Sequence, residues 1–436
     1  MTFFILRQSK SVPLEIEFVT LLTHYNNRSC EVESSMDADE KGSGSRFSGA
    51  TVAVHGSSQV AESPFGAVVP PVFHSSTYKF ANFDEMRRYA RGELPDAFFY
   101  SRYANPTVVE VEHRIADLEC AEACVVTSSG SAAAFCAMAA LCESGDEIIA
   151  CDSVYGGSIK ILTKILSRWG VNSRFISLDE IDQLPALVTE RTKGFWFETP
   201  ANPINRIVDL QAAAALTRKS GVYSIIDNTF ATPILQRPLE HGIDAVMHSA
   251  TKYLGGHSDL TAGAVAGKRD FIDRVRHFAI LIGTTLDPAA AYLLSRGIKT
   301  LEVRVKASSE NALRLAEALS RHPKVTRVYY PGLEDDSGYA VAKRQMNGFG
   351  GVVAMDLVGG EAEAERLFNA FKLVSAAPSL GGVETLVSYP IYSSHVGFTE
   401  EQLKAAGVSA ATVRFAVGIE SADDIIADVE QALSYV

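Results

Sequence analysis

The chain has 436 residues, a formal net charge of −12, 47% hydrophobic residues and 21% charged residues. This composition is typical of a globular protein, and the length suffices for two or three domains with a sizeable core. The acidic balance argues against nucleic acid or an anionic membrane as a partner. No apolar run reaches the roughly 20 residues that a membrane helix needs.

The first 49 residues differ in composition from the rest. Residues 3–6 are apolar but too few for the core of a signal peptide, and Arg7 follows them. Residues 31–49 are polar and rich in serine and glycine, which predicts a disordered linker. Met36 is an alternative start that would leave residues 1–35 untranslated. We therefore expect residues 1–49 to be a disordered extension or to lie partly outside the protein.

From Ala123 onwards, predicted strands alternate with predicted helices. We expect strands at 123–127, 147–151, 172–176, 193–198, 222–227 and 245–248. An Ala-rich helix is expected to follow Ser128-Ser129-Gly130-Ser131 and to extend through Leu141, with further helices at 156–169 and near 210–219. This alternation predicts an α/β domain with a mostly parallel, doubly wound sheet, which the strand 245–248 completes. After about Ile298, a long amphipathic helix at 301–320 and short strands such as 352–357 predict a smaller α+β C-terminal domain.

Five of the six cysteines lie between residues 120 and 151, on segments that resemble helix and strand core. No histidine lies among them, so a metal site is not expected. We interpret them as buried free thiols of a protein in a reducing cytosol. The six are Cys30, Cys120, Cys124, Cys136, Cys142 and Cys151.

The segment His248–Asp259 places Lys252 among small hydroxylated residues and glycines, directly after an apolar strand. Lysine forms Schiff bases with carbonyl groups, and pyridoxal phosphate (PLP) is the commonest cofactor that needs one. The hydroxyls of Ser249 and Thr251 flank the lysine and are suited to bind a phosphate. The alternative is a surface lysine in a glycine-rich loop.

Asp227 ends a second buried strand, 25 residues before Lys252. Ligands of α/β sheets bind at the carboxyl ends of strands, where both residues are expected to lie. A carboxylate that faces a pyridine nitrogen keeps it protonated and makes the ring an electron sink. Taken alone, Asp227 also suits a helix cap. A third element, Ser129-Gly130-Ser131, lies at a strand-to-helix turn, where free amides and the helix dipole form an anion site.

Taken together, these motifs resemble the Cys/Met-metabolism family of PLP enzymes, the trans-sulfuration group, from about Thr51 to the C-terminus. The resemblance implies an aspartate-aminotransferase-like large domain (fold type I). It also implies that the arm and the Tyr100/Arg102 segment contact a neighbouring subunit in a homotetramer built from dimers. The expected boundaries are 1–49 for the extension, 50–100 for an N-terminal arm, 101–297 for the PLP-binding domain and 298–436 for the C-terminal domain.

The resemblance also assigns roles to single residues. Gly130 and Ser131 would bind the PLP phosphate, together with Ser249 and Thr251. Tyr100 and Arg102, in Tyr100-Ser101-Arg102-Tyr103, would reach that phosphate from the neighbouring subunit. Tyr155 would stack on the cofactor ring and act in proton transfer, and Asn202 would bind the ring oxygen. Ser379 and Arg414 would bind the substrate carboxylate, since an arginine within an apolar strand is costly unless it meets an anion.

Four positions bear on the reaction, and they conflict. Gly157 and Ser258 favour the cystathionine enzymes over methionine γ-lyase. Pro378 stands where cystathionine γ-synthases and γ-lyases often carry an acid, and Lys160 where they often carry an arginine. We expect a cytoplasmic enzyme of the cystathionine γ-synthase or γ-lyase type. It would catalyse γ-elimination or γ-replacement on cystathionine or an O-acyl-homoserine. Methionine γ-lyase, O-acetylhomoserine sulfhydrylase and, from another class, a PLP-dependent aminotransferase remain alternatives.

Overall fold

The computed structural model describes residues 47–56 and 66–436. The predicted extension therefore lies almost wholly outside the described residues. The described chain forms two compact units. One is Ser75–Asn105, and the other comprises the described residues before Ser75 together with residues 106–436. The domain boundaries expected from the sequence stay predictions.

The larger sheet has seven strands in the order β1-β7-β6-β5-β4-β2-β3. The strands β6, β5, β4, β2 and β3 are all parallel to one another, whereas β7 is antiparallel to both of its neighbours, β1 and β6. The strands are β1 Ala123–Thr127, β2 Glu147–Cys151, β3 Asn172–Ile176, β4 Thr192–Glu198, β5 Tyr223–Asp227, β6 Ala245–His248 and β7 Gly263–Gly267. The mostly parallel α/β fold is confirmed. The expectation that residues 245–248 complete the sheet is wrong, because β7 inserts between β1 and β6.

The core lies on both faces of this sheet, as expected for strands that are apolar throughout. Along β1, Ala123 and Val125 pack into one cluster with the helices after β1 and β4, while Cys124 and Val126 pack into a second on the opposite face. The five described cysteines are free thiols. Among the described residues, we find no group of three or more side chains suited to hold a metal ion. In the same part of the chain, no helix is long and apolar enough to cross a membrane.

A second, mostly antiparallel sheet has the order β10-β11-β12-β9-β8. Its strands are β8 Val325–Tyr329, β9 Val352–Leu357, β10 Ser375–Ala376, β11 Leu386–Ser388 and β12 Thr412–Ala416. The helix Leu301–Leu319 and the C-terminal helix Ala422–Leu433 cover its apolar face. A smaller C-terminal α+β region is therefore confirmed.

The α-helices are Gly49–His55, Phe83–Ala90, Pro106–Glu119, Gly130–Ala139, Gly156–Lys160, Leu184–Leu187, Leu210–Ser220, Thr232–Leu235, Arg269–Ile282, Pro288–Ile298, Leu301–Leu319, Tyr339–Gln345, Glu361–Ala370, Glu400–Ala405 and Ala422–Leu433. The helix expected at 156–169 is a continuous helical run of three kinds. It passes from α-helix to a π-helix at Ile161–Ile165 and a 3₁₀-helix at Leu166–Trp169. Other 3₁₀-helices are Leu178–Gln183, Pro238–His241 and Pro390–Tyr392.

Candidate active site

A cavity of about 440 Å³ lies at the carboxyl ends of β4, β5 and β6. It is the place that the doubly wound topology predicts for a ligand. The predicted site residues that line it are Gly130, Ser131, Tyr155, Asn202, Asp227, Ser249, Thr251, Lys252 and Arg414. A wider cleft of about 810 Å³ lies at the opposite edge of the sheet, where β4 and β5 begin, and contains none of these residues.

Lys252 lies in the loop that follows β6, with its amine in the cavity. Its Nζ donates a hydrogen bond of 2.9 Å to Ser379 Oγ. Burial, with a smaller contribution from the positive charge of Arg414, lowers the pKa of Lys252 to about 8. The lowered pKa increases the fraction of this amine that is neutral near physiological pH, and the neutral form is the one that nucleophilic attack and proton abstraction require.

Two buried carboxyl groups stand side by side at the ends of neighbouring strands. Asp227 is paired in register with Glu198. Asp227 Oδ1 accepts from the backbone amide of Thr229 at 3.1 Å and from its hydroxyl at 2.5 Å. Burial raises the pKa of Asp227 although both Thr229 hydrogen bonds oppose the rise. If Asp227 is to keep the pyridine nitrogen of the cofactor protonated, neighbouring groups must therefore keep this carboxyl ionised.

Glu198 fixes the two other predicted ring contacts. Its two oxygens accept from the amides of Tyr155 at 2.9 Å and Asn202 at 2.8 Å. Burial and then the neighbouring Asp227 raise the pKa of Glu198. The sequence analysis missed Glu198, although it ends a predicted strand just as Asp227 does, and the same rule would have found it. Thr229, which also lines the cavity, was missed as well.

Arg414 lies on β12 and is buried at the junction of the two sheets. Its guanidinium donates 2.5 Å to Asn202 Oδ1 and 3.0 Å to the Ser379 carbonyl. Its Nε has no hydrogen-bond partner among the described residues. Burial lowers the pKa of Arg414 to about 10, so the group is still cationic at neutral pH. A buried cation with an unpaired donor beside a cavity is suited to bind a carboxylate.

The turn at Gly130 has the geometry of an anion cradle. Ser129 caps the helix Gly130–Ala139 by accepting from the Ala132 amide at 3.2 Å, and the first helical amides have no acceptor within the helix. A Cβ on Gly130 would lie 2.7 Å from both Cβ and Oγ of Ser249. Glycine is therefore required for this close approach of the turn to the lysine loop.

Thr251 has a different environment from the one expected. Its hydroxyl donates to the Ala262 carbonyl at 3.1 Å and accepts from the Ala262 amide at 2.9 Å. These bonds close the loop that carries Lys252. Because the hydroxyl hydrogen is already donated, a phosphate contact would require it to leave Ala262, and the predicted role of Thr251 stays a prediction.

Tyr155 presents a half-exposed ring to the cavity, with 47% of the residue accessible. A Cβ at position 157 would lie only 2.3 Å from its Cε1. The absence of a side chain at Gly157 therefore permits the observed position of the tyrosine ring.

Tyr100 and Arg102 belong to the unit Ser75–Asn105. There the Arg102 guanidinium lies 4.8 Å from the centre of the Tyr103 ring and 5.8 Å from that of Tyr100, which is 41% exposed. Cation–π contacts of this kind hold the guanidinium in place. The phosphate roles of both residues stay predictions.

The cavity residues fit PLP in each of its chemical parts. A lysine with a lowered pKa suits the aldehyde, a strand-end carboxylate suits the ring nitrogen, and a glycine turn at a helix N-terminus suits the phosphate. The fold and the site together define a PLP-dependent enzyme of fold type I.

The chain belongs to the Cys/Met metabolism PLP-dependent enzyme family, whose model matches residues 50–434. It is 39% identical over 373 residues to L-methionine gamma-lyase of Fusobacterium nucleatum subsp. polymorphum, covering 85% of this chain and 94% of that protein. It is also 39% identical over 384 residues to cystathionine gamma-lyase of Bacillus subtilis, covering 88% and 98%. The crystal structure of cystathionine gamma-lyase from Lactobacillus plantarum superposes with a TM-score of 0.83 at 34% identity, covering 89% and 99%.

Proposed function

We propose that this enzyme catalyses γ-elimination or γ-replacement on a homoserine-derived amino acid, either cystathionine or an O-acyl-homoserine. The observation that carries the proposal is the cavity in which the Lys252 amine and the buried Arg414 guanidinium lie on either side of Ser379. Arg414 would hold the substrate carboxylate, which places the α-carbon near the Lys252 amine. Lys252 would then carry protons between the substrate carbons. PLP supplies the electron sink for negative charge at those carbons.

The other cavity residues would position the cofactor. Asp227 would face the ring nitrogen, and the Tyr155 ring would stack on the pyridine and act in proton transfer. Asn202 would bind the ring oxygen through its amide nitrogen, since its Oδ1 accepts from Arg414. Gly130 and Ser131 would receive the phosphate.

Of the two proposed substrates, the side-chain pocket favours an O-acyl-homoserine, which lacks the distal ammonium group of cystathionine. Pro378 lines the cavity, and it stands where many cystathionine enzymes have an acid before the Ser-Leu-Gly-Gly run. Without that acid, a distal ammonium group gains no ion pair. Methionine γ-lyase is the second candidate function, because a methionine side chain is neutral and because several methionine gamma-lyases are 38–42% identical to this chain.

A substrate panel tests the proposal. Purified enzyme is incubated separately with cystathionine, methionine and O-acyl-homoserines, with and without cysteine or sulfide, and the products are identified. We expect a homoserine-derived skeleton to give the highest kcat/KM, with some overlap, since one methylene in a shape-selective pocket is worth only about 1–3 kcal/mol. A highest kcat/KM for methionine would favour methionine γ-lyase. Keto-acid formation without loss of the side-chain group would indicate an aminotransferase.

We also propose cytoplasmic homotetramers in which Tyr100 and Arg102 complete the site of a neighbouring subunit. The proposal is supported by the free state of the five described cysteines and by the resemblance of residues 100–107 to the family's Tyr-x-Arg segment. Mixing Arg102→Ala chains with Lys252→Ala chains should restore activity through heterodimers with one intact site. Absence of restored activity despite confirmed subunit exchange would contradict shared sites, and sedimentation would establish the number of subunits.

A further inference from the structure

Behind the cavity lies a fully buried pair of titratable side chains that the proposed reaction does not use. Glu119 ends the helix Pro106–Glu119, and His248 ends β6; their side chains are 0% and 1% exposed. Glu119 Oε1 lies 2.5 Å from His248 Nε2 and also accepts from Asn228 Nδ2 at 3.2 Å. Neither Glu119 nor His248 lines the cavity.

Two polar atoms of this pair lack a hydrogen-bond partner although both side chains are buried. Glu119 Oε2 and His248 Nδ1 have no hydrogen-bond partner among the described residues. Burying a polar atom without a partner costs free energy, and apolar residues of similar volume often replace a buried ion pair without loss of stability. Fold stability therefore gives a weak reason for these two residues, and their surroundings point to a role in the site.

Both members of the pair are linked to Asp227 through hydrogen bonds to the two residues that follow it, Asn228 and Thr229. Asn228, which bonds Glu119, directly follows Asp227 in the chain. On the other side, the Ser249 amide next to His248 donates to Thr229 Oγ1 at 2.8 Å, and that hydroxyl donates to Asp227 Oδ1. The pair thus braces the turn that holds the carboxylate.

The charged groups around Asp227 also indicate that the pair acts on this carboxylate. Asp227 lies beside Glu198, which repels it, and Lys252 and Arg414 line the same cavity. His248 directly follows Met247, the β6 residue that pairs with Asp227. Burial raises the pKa of Asp227, and the charge of a protonated His248 lowers it, after the larger effect of the Thr229 hydrogen bonds. Glu119 is the carboxylate that contacts the His248 ring directly, through Nε2.

We propose that Glu119 and His248 are positioning residues that keep the Asp227 carboxylate ionised and oriented towards the cofactor ring. The inference rests on the role proposed above for Asp227. It goes further by assigning a function to two residues that touch neither cofactor nor substrate.

A double-mutant cycle tests this inference. The PLP dissociation constant is measured by equilibrium dialysis of the holoenzyme between pH 6 and 9 for wild type, Glu119→Gln, Asp227→Asn and the double variant. We expect Glu119→Gln to weaken PLP binding about tenfold, as coupled neighbours do. The loss should begin at a higher pH than in wild type as the pH falls, because a less stabilised Asp227 takes up its proton earlier. In the Asp227→Asn background the same substitution should have no effect. His248→Gln tests the pair from the other side.

Asp428→Asn is the control, because Asp428 is a buried carboxylate on the C-terminal helix that accepts from backbone amides at 372–374, away from the cavity. It should lower thermal stability without changing the pH dependence of PLP binding. An equal effect of Glu119→Gln in both backgrounds would show a merely structural pair and overturn the inference alone. If Asp227→Asn by itself left PLP binding unchanged, the Asp227 assignment would fall, and this inference with it.

Discussion

Gly130→Ala is the substitution whose outcome depends most directly on the cavity geometry. Gly130 is the first residue of its helix, directly after the serine cap Ser129. The new Cβ would lie 2.7 Å from Ser249 Cβ and Oγ and 3.0 Å from Ser249 Cα. Because one of these atoms is backbone, a rotamer change of Ser249 cannot relieve the overlap, and either the turn or the lysine loop must move.

Overpacking of this kind costs about 1–3 kcal/mol. At 1.4 kcal/mol for each tenfold change, this corresponds to a factor of about 5–150 in an equilibrium constant. If the site relaxes when no cofactor is bound, this free-energy cost appears in PLP binding; if it does not relax, the cost appears in the stability of the fold. We expect the larger share in PLP binding, because the phosphate requires the turn at Gly130 and the loop at Ser249 to stay in place together.

The assay is the PLP dissociation constant by equilibrium dialysis, together with thermal unfolding. Gly49→Ala is a matched control, since Gly49 is also the first helical residue after a serine and its Cβ would meet nothing closer than the flexible end of Arg237 at 3.4 Å. We expect Gly130→Ala to weaken PLP binding at least fivefold and Gly49→Ala to leave it unchanged. If Gly130→Ala altered neither affinity nor stability by about 1 kcal/mol, the close approach of turn and loop would be refuted.

Three further outcomes are expected. Lys252→Ala should remove the covalent link to PLP, which is measured as loss of the protein-bound chromophore after borohydride reduction. Phosphate contacts should still retain some PLP. A covalent link that survives the substitution would disprove the assignment. Covalent uptake of PLP should speed up as pH rises through about 8, where the Lys252 amine becomes neutral, and Arg414→Met should move this profile to higher pH because the arginine charge lowers the lysine pKa. Gly157→Cys should displace the half-exposed Tyr155 ring, lowering kcat/KM with little change in melting temperature, whereas unchanged kinetics would show that the ring position is not needed.

Much of the larger sheet was predictable because its strands are short apolar runs between turns. The predicted strands at 123–127, 147–151, 172–176 and 245–248 match the observed bounds residue by residue, and those ending at 198 and 227 differ by one residue at the start. The missed strand β7, Gly263-Ala-Val-Ala-Gly267, has small residues and no alternating pattern. Its glycines reflect its neighbours: a Cβ on Gly263 would lie 2.2 Å from the Ser129 carbonyl oxygen. Such a steric constraint is not visible in a local window of sequence.

The change of helix type after Lys160 has, by contrast, a local cause. Thr163 and Ser167 donate their hydroxyls to the carbonyls four residues earlier, at 2.8 and 2.7 Å. Side-chain bonds of this kind compete with regular helical bonding and loosen the turn. The amphipathic pattern of the segment is the same for all three helix types, so it could not distinguish them.

By itself, the sequence determined the class of sheet, the lysine and the aspartate at strand ends, the glycine turn before a helix, and hence the cofactor, because each depends on a few neighbouring residues. Only the tertiary structure decided which groups surround them. Asp227 stands beside Glu198 because β4 and β5 pair in register, and Arg414 reaches Asn202 from 212 residues away. The charge of a buried group depends on its spatial neighbours and on its distance from water, neither of which is ordered along the chain.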